Sequence, residues 1–251
     1  MVTLRFAGWP VLITGGATGI GLACAQRLAA EGARVLLVGR RSEALAAARQ
    51  SLAGDGHETL VADAADETVL APGVKAFAAT VGPLRAAILG AGENLLRPLA
   101  ISKAEHFERQ FRSNVTTGAV AARVFVKHAD KQDGATLLFV SSVAGLRGAA
   151  GASAYSAAKG AVLALSRSLA VELAPQGIRV NALVPGVVRT AMSEKFLGTL
   201  TPEQIEAVRR AHLLGFGEPA DVAAAACFLV SSEAHWITGT ELVVDGGLSC
   251  Q

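Results

Sequence analysis

A phenol and an ammonium share one face of a predicted helix, where they could act together on a proton. The stretch SAYSAAKGAVLAL, residues 153–165, holds the single tyrosine of the chain, Tyr155, four residues before Lys159. Alanine favours the helix strongly, and residues four apart lie on one helix face. A free tyrosine has a pKa of ~10 and is a poor base near neutral pH. An ammonium ~5 Å away at an effective dielectric of ~20 favours the phenolate by roughly 3 kcal/mol, so we expect Lys159 to lower the pKa of Tyr155 toward the range of an acid/base catalyst.

A glycine-rich turn near the N-terminus could hold a phosphate. In VLITGGATGIG a predicted strand ends at Thr14 and a predicted helix begins near Ile20. Such a turn presents backbone N–H groups and a helix N-terminus to an anion, and its glycines let a pyrophosphate approach the backbone. The position between a strand and a helix favours a dinucleotide site over a purely structural turn.

The end of the next predicted strand indicates which dinucleotide would bind. An NAD site usually has Asp or Glu about 20 residues past the glycines, but Gly39 and Arg40 stand there, followed by Arg41. A carboxylate would repel a 2′-phosphate, whereas an arginine can hold it with two charge-assisted hydrogen bonds. We therefore predict NADP. NAD stays open as the alternative, because both arginines could also be the solvated start of a helix.

The bulk composition excludes several partners. The formal net charge is +2 and the basic residues are scattered, which implies neither a nucleic-acid nor a membrane partner. The mean hydropathy is +0.42, yet no apolar run approaches the ~18 residues of a membrane span. The five histidines lack metal-ligand spacing and the three cysteines form no CxxC motif, so we assign no metal. The opening segment lacks the layout of a signal peptide, so we expect a cytoplasmic protein.

Short apolar runs of strand length alternate with helical patterns. The runs lie at 11–14, 35–38, 59–62, 86–90, 136–140, 179–184 and 241–244. The helical patterns include 22–31, 42–53, 115–128, 155–173 and 219–229. Alternation of this kind predicts βαβ units and a parallel sheet, and uninterrupted apolar runs indicate strands covered on both faces. We expect a single α/β domain, residues 1–251, with a doubly wound parallel sheet and helices on both faces.

With these motifs in order, the chain resembles the short-chain dehydrogenase/reductases over essentially its whole length, with a 3-ketoacyl reductase-like pattern. Residues 14–21, TGGATGIG, match the family's TGxxxGxG, and Tyr155 with Lys159 matches YxxxK. Ser142 precedes Tyr155 by the family's usual thirteen residues, and residues 237–247, ITGTELVVDGG, match TGxxxxVDGG. The resemblance implies a Rossmann fold and an oxidoreductase that transfers a hydride between NADP(H) and a ketone, ketoacyl or keto-sugar carbonyl, or the corresponding secondary alcohol.

The resemblance also implies roles for individual residues. Tyr155 would be the general acid/base, Ser142 would donate a hydrogen bond to the substrate oxygen, Lys159 would hold the nicotinamide ribose, and Asn114 would hold a water linking Lys159 to solvent. The substrate would contact Asn94, Ser142, Arg147, Ala152 and Tyr155. The implied cofactor contacts are Gly15, Ala17, Thr18, Gly19, Ile20, Gly21, Arg40, Arg41, Asp63, Ala64, Gly90, Ala91, Gly92, Tyr155, Lys159, Pro185, Gly186, Val188 and Thr190.

Three departures from the family pattern keep alternatives open. The family's NNAG reads Leu89-Gly90-Ala91-Gly92 here, which we expect to affect local stability more than chemistry. Val171 stands where carrier-protein ketoreductases often have a basic residue, which weakens an acyl-carrier substrate. Thr18 stands where many NADP-preferring relatives carry Lys or Arg. The alternatives are an NAD-dependent sugar, polyol or alcohol dehydrogenase and a non-catalytic dinucleotide-sensing regulator, the latter disfavoured because all four catalytic positions are filled.

Residues 192–217 interrupt the alternation and are predicted to form a mobile lid over the substrate, since long excursions in a compact fold are usually functional. Thr201-Pro202-Glu203-Gln204 predicts a capping box and a helix over about 202–212. Its apolar residues, Ile205, Val208 and Leu213, are expected to cover an apolar substrate. Its cationic residues, Arg209 and Arg210, either steer an anionic substrate or solvate the outer face. The predicted hinges are Gly198, Gly215 and Gly217.

The helix over 155–173 carries apolar residues around more of its circumference than one buried face needs. These residues are Val162, Leu163, Leu165, Leu169 and Val171. A helix of this kind is buried on more than one side. The resemblance implies a homotetramer in which this helix and the helix over 115–128 pack against a second subunit, and the C-terminal segment forms another interface.

Overall fold

Seven parallel strands form one sheet within residues 4–250, the part of the chain that the computed structural model describes. The strands are β1 Pro10–Thr14, β2 Arg34–Gly39, β3 Glu58–Val61, β4 Ala86–Leu89, β5 Ala135–Val140, β6 Ile178–Pro185 and β7 Glu241–Val244. Every predicted strand is confirmed to within one residue at each end. The remaining residues of the predicted domain, 1–3 and 251, lie outside the described part.

Helices cover both faces of the sheet. They are α1 Gly19–Ala30, α2 Ser42–Gln50, α3 Glu67–Val81, α4 Ala104–Phe111, α5 Thr117–His128, α6 Ser153–Leu173, α7 Ala191–Leu197, α8 Pro202–Ala211 and α9 Pro219–Val230. Successive strand residues point to opposite faces, so Leu12 joins the core under α3, α5 and α6 while Ile13 joins the core under α1, α2 and α9. The doubly wound α/β architecture is confirmed.

Three helices were not among the predicted patterns. In α3, Pro72 and Gly73 interrupt the helical signal, although Asp66 caps its start by accepting a hydrogen bond from the Thr68 amide at 3.0 Å. Helices α4 and α7 are only eight and seven residues long, so they offer few turns of periodicity to read. Among the helices of residues 4–250, none combines the length and apolar character that crossing a bilayer requires.

The helix predicted over 115–128 is preceded by a wider turn. Residues 112–116 form a single π-helical turn that joins α4 to α5 and carries Asn114. Such turns insert one residue into the helical ladder and are frequent at functional sites. The insertion turns Asn114 toward the sheet, where it is buried.

The strand order sets where a ligand can bind. The order is β3-β2-β1-β4-β5-β6-β7. From the centre of the sheet, the first half of the chain adds strands on one side of β1 and the second half adds strands on the side of β4. The connections after β1 and β4 therefore leave in opposite directions, which opens a crevice beyond the carboxyl ends of these two strands. Ligands of such sheets bind outside the carboxyl ends of the strands at this point. The loops after β1, β4, β5 and β6 meet there and carry many of the predicted site residues, while Tyr155 and Lys159 lie on α6.

Candidate active site

Tyr155 and Lys159 lie on the first turns of α6, as predicted. Lys159 is only 7% exposed, and its Nζ lies 5.7 Å from the centre of the Tyr155 ring. The ammonium donates a hydrogen bond to the Val140 carbonyl at 3.0 Å, and the Ser141 hydroxyl donates to the Lys159 carbonyl at 2.9 Å. Both contacts fasten α6 to the carboxyl end of β5, which fixes the phenol over the crevice.

The electrostatics of the pair differ from the expectation. Burial raises the pKa of the Tyr155 phenol above its ordinary value, and a hydrogen bond with Ser142 opposes this only in part. Burial also lowers the pKa of Lys159 to about 8. The prediction that Lys159 lowers the Tyr155 pKa is therefore wrong for the protein alone, because loss of hydration outweighs the attraction between the two charged forms. The phenol is held in its protonated form, which is the proton donor that reduction of a carbonyl needs.

Ser142 follows β5 and faces the same space as Tyr155. Its Oγ accepts a hydrogen bond from the Ala144 amide at 3.2 Å, which orients the side chain. All predicted substrate residues, including Asn94, Arg147 and Ala152, line one cavity of about 360 Å³ with Tyr155 and Ser142. The Arg147 guanidinium donates to the Leu248 carbonyl. Four further residues, Leu96, Phe196, His212 and Leu248, also line the cavity. Phe196 and His212 belong to the predicted lid but were not singled out, and the sequence did not point to Leu96 or Leu248.

Asn114 is buried with one polar atom unused. Its Nδ2 donates to the carbonyl oxygens of Glu93 and Gln110, each at 3.0 Å, while its Oδ1 has no partner among the described residues. A Cβ atom at position 92 would collide with Oδ1 of Asn114. Because Gly92 has no side chain, the space in front of this oxygen stays open. Asn114, Tyr155 and Lys159 line a second cavity of about 220 Å³. An acceptor held here can bind a water beside Lys159.

The glycine turn closes the other end of the second cavity. Gly15 has a φ of +70°, and a Cβ atom on Gly21 would collide with its carbonyl oxygen, so the turn requires glycine at both positions. Ten predicted cofactor residues line this cavity: Gly15, Thr18, Gly19, Ile20, Gly21, Gly90, Gly92, Tyr155, Lys159 and Thr190. Pro185, Gly186 and Val188 line the 360 Å³ cavity instead. The two cavities share Tyr155, so together they fit an extended dinucleotide whose reactive end meets the substrate.

The remaining predicted cofactor residues lie outside both cavities. They are Ala17, Arg40, Arg41, Asp63, Ala64 and Ala91. Arg40 is exposed just after β2, and its guanidinium forms no hydrogen bond or ion pair with residues 4–250. Asp63 follows β3 and lies 3.7 Å from the Arg112 guanidinium. Both residues stand along the carboxyl edge of the sheet, beyond the glycine turn, where the adenosine half of a dinucleotide would extend.

The altered NNAG segment is held by Thr14. The Thr14 carbonyl accepts from the Gly90 amide at 3.1 Å, and its hydroxyl accepts from the Ala91 amide at 3.3 Å. These contacts join the ends of β1 and β4. A backbone and hydroxyl connection therefore exists at the position where the sequence lacks the family's asparagine.

The predicted lid contains α7 and α8. The capping box is confirmed, since Thr201 N donates to Gln204 Oε1 at 2.9 Å. Val208 lines the substrate cavity, but Ile205 and Leu213 do not, and Leu213 is 62% exposed. The expectation that all three cover the substrate is wrong for Ile205 and Leu213, because those two sit on other sides of the segment.

The structure also bears on the predicted roles of the two lid arginines and of the hinge glycines. Arg209 and Arg210 both pair with Glu206 on the outer face, at 2.7 and 3.1 Å, which supports solvation rather than steering. Gly217 forms a β-bridge with Val188, an arrangement that disfavours a hinge there. Gly215 has a φ of +78°, so the backbone turns at this glycine.

Comparisons with known proteins place the chain in a family. A family model described as Enoyl-(Acyl carrier protein) reductase matches residues 15–249. Cyclopentanol dehydrogenase of Comamonas testosteroni is 38% identical over 242 residues, which cover 94% of this chain and 95% of that protein. Levodione reductase of Leifsonia aquatica is 34% identical over 262 residues, which cover 98% and 96%. A crystal structure of levodione reductase superposes with a TM-score of 0.91 and covers 98% of this chain and 99% of that one.

Proposed function

Because the chain belongs to the short-chain dehydrogenase/reductase family of oxidoreductases, we propose that it transfers a hydride between NADP(H) and a small, largely apolar ketone or secondary alcohol. The observation that carries this proposal is the meeting of Tyr155, Ser142, Lys159 and Asn114 where two cavities join. One cavity has the glycine turn of a dinucleotide site, and the other has the polar groups that act on a carbonyl. The bound dinucleotide supplies or accepts the hydride.

The side chains divide the proton chemistry among them. In reduction, Tyr155 gives its hydroxyl proton to the carbonyl oxygen, and Ser142 donates a hydrogen bond to that oxygen as its charge develops. Lys159, whose pKa burial lowers to about 8, returns a proton to the phenolate. A water held by the free Asn114 Oδ1 connects Lys159 to solvent. In oxidation the same groups act in reverse, with Tyr155 as base.

The walls of the substrate cavity support an apolar substrate. Leu96, Val143, Met192, Phe196 and Val208 contribute apolar surface, while the polar groups near Tyr155 are few. Sites of this kind bind through apolar contact and use a few polar groups for orientation. The similarity to proteins named for cyclopentanol and levodione agrees with a compact cyclic ketone or alcohol. The test is an activity screen with NADPH and NADH against cyclic ketones, ketoacyl thioesters and keto-sugars, in which a cyclic ketone should give the highest kcat/KM.

Arg40 is proposed to select NADP(H) over NAD(H). Its exposed guanidinium at the end of β2 forms no hydrogen bond or ion pair within residues 4–250 and can hold a 2′-phosphate, and charge-assisted hydrogen bonds contribute about 1.5–3 kcal/mol each. Arg40→Ala should therefore lower the ratio of kcat/KM for NADPH to that for NADH by roughly tenfold or more. Arg49→Ala, which removes the same charge from the last turn of α2, is the control and should leave the ratio unchanged. A wild-type enzyme that works equally well or better with NADH would refute the preference.

One observation favours the NAD-dependent alternative. Thr18 lines the dinucleotide cavity at a position where a basic side chain would give the phosphate a second contact. The preference then depends on the arginines after β2. An NAD-dependent alcohol dehydrogenase would show the same loss of activity in Tyr155 variants but no response of the cofactor ratio to Arg40→Ala.

A further inference from the structure

We propose that His212 is a positioning residue that fixes the lid helix α8 to the backbone at the dinucleotide end of the site, an inference that rests on the proposed function. His212 directly follows α8 and is only 2% exposed. Its ring lies between two backbone groups from different parts of the chain. The Nδ1 atom is 2.8 Å from the Val208 carbonyl oxygen, and Nε2 accepts from the Val187 amide at 3.0 Å.

The two backbone partners decide which ring nitrogen of His212 carries a hydrogen. The Val208 carbonyl can only accept, so Nδ1 carries a hydrogen, and the Val187 amide can only donate, so Nε2 carries none. The two contacts therefore fit a single tautomer of His212, with the hydrogen on Nδ1. Asp245 is the charged group that faces the ring across the fold, and the ionisable groups that share its cavity are Tyr155 and Arg147. None of the three replaces either backbone contact of the ring.

The ring joins the two walls whose separation defines the substrate cavity. Val208 contributes the α8 wall, and Val187 lies between the predicted cofactor residues Gly186 and Val188. The Val187 carbonyl in turn accepts from the Gly217 amide at 3.0 Å, and Phe216 packs edge-on against the imidazole at 5.6 Å. A rigid ring of fixed width thus holds α8 at a set distance from the backbone that would face the nicotinamide. Loss of its hydrogen bonds would loosen α8 and misplace Val208.

Three substitutions of His212 remove its two backbone hydrogen bonds together or one at a time. His212→Phe keeps the ring volume but removes both hydrogen bonds. His212→Gln can still accept from the Val187 amide, and His212→Asn can still donate to the Val208 carbonyl. The chain provides a matched control in His57, which is also buried and also bonded through both nitrogens to backbone groups, Val35 N at 3.2 Å and Ala53 O at 3.0 Å. His57 lies at the opposite edge of the sheet, beside the start of β3.

The test combines steady-state kinetics with hydrogen exchange. For His212→Phe, the KM of the best ketone from the substrate screen should rise roughly tenfold, as expected for two lost hydrogen bonds. Its kcat should fall less, and its Kd for NADPH should change by no more than about twofold. Amide exchange over residues 202–211, measured without ligands, should accelerate by about tenfold or more. His212→Gln should recover part of the KM, and His57→Phe should change neither readout.

Two results would overturn the inference. One is wild-type KM together with wild-type exchange over α8 in His212→Phe. The other is an equal KM increase in His57→Phe, which would trace the effect to general destabilisation. If His212→Phe does not fold, His212→Gln and His212→Asn supply the same comparison. Failure of the proposed function is a separate outcome, because a wild type that reduces no carbonyl compound with either dinucleotide leaves the exchange experiment to judge the position of α8.

Discussion

At the residue scale, the site keeps a lysine where its charge is costly. Lys159 is buried against the end of β5, and burial lowers its pKa to about 8 from an ordinary value of 10.5. Its single described hydrogen bond, to the Val140 carbonyl, does not replace full hydration. A side chain of this kind weakens the fold near neutral pH. Its place beside Tyr155 is explained by the proton that it can return to the phenol.

This cost can be measured as a pH dependence of stability. Below pH 8 Lys159 is protonated in both the folded and the unfolded chain, and the folded state bears the full penalty. Between pH 8 and about 10.5 the unfolded chain binds a proton that the folded chain has lost, so wild-type stability rises with pH. Relative to Lys159→Met, the wild type should gain about 1.4 kcal/mol per pH unit in this window.

The measurement is denaturant unfolding of the dinucleotide-free protein at a fixed protein concentration, from pH 7 to 10. Lys131→Met, at an exposed position, controls for the loss of a lysine. A difference between wild type and Lys159→Met that stays flat with pH would show that the fold does not penalise the ammonium.

The sequence predicts which residues act but not how the protein changes them. The spacing of Tyr155 and Lys159 predicted that both lie on one helix face, and the resemblance to the family implied Ser142 as their partner. The direction of the Tyr155 pKa could not be predicted, because it depends on how much water the folded protein removes from both groups. Phe196 and His212 belong to the predicted lid but were not singled out, since their approach to Tyr155 depends on the path of a long loop.

At the scale of elements, two apolar side chains of similar size on α8 face different surroundings. Val208 faces the substrate cavity and Ile205 does not. Val208→Ala should therefore raise the KM of the small ketones that pack against this side chain and change the ranking of substrates, with NADPH affinity unchanged. A change of about threefold to tenfold corresponds to the apolar surface lost. Ile205→Ala is the matched control from the same helix. Equal kinetic effects of the two substitutions would show that specificity is set elsewhere, with Asn94, Arg147 and Ala152 as the next candidates.

Strands were easier to predict than helices for a physical reason. Most strands contain an apolar run bounded by turn residues, so their ends are marked in the sequence, although β3 begins with Glu58 and Thr59 and β6 includes Arg179 and Asn181. The prediction missed α3 because Pro72 and Gly73 oppose the helix locally, and packing of Leu70, Val74 and Phe77 into the core stabilises it. The π-helical turn around Asn114 has no sequence signal of its own, since it depends on contacts with the Glu93 and Gln110 carbonyls.

At the scale of the whole molecule, several large apolar side chains lie exposed outside the protomer's own core. Val162 and Leu163 are buried within the protomer, so they carry no argument for an interface, but Val171 at the end of α6 is 79% exposed and Trp236 before β7 is 91% exposed. Both side chains are available for contact with a second subunit, which the resemblance to the family implies. We predict a homotetramer with four times the protomer mass of 25.6 kDa. Light scattering at micromolar concentration measures this mass, and a stable monomer would contradict it.

The proposed function depends on Tyr155 as the group that moves the proton. The most direct test measures turnover and dinucleotide affinity together in the Tyr155→Phe variant, using NADPH and the best ketone of the substrate screen. Phenylalanine keeps the ring beside Lys159 and removes only the hydroxyl. We expect a kcat lowered by roughly a hundredfold or more, as for loss of a general acid, with the NADPH Kd within about twofold of wild type. A variant that keeps more than a few per cent of the wild-type kcat would contradict the proposed function.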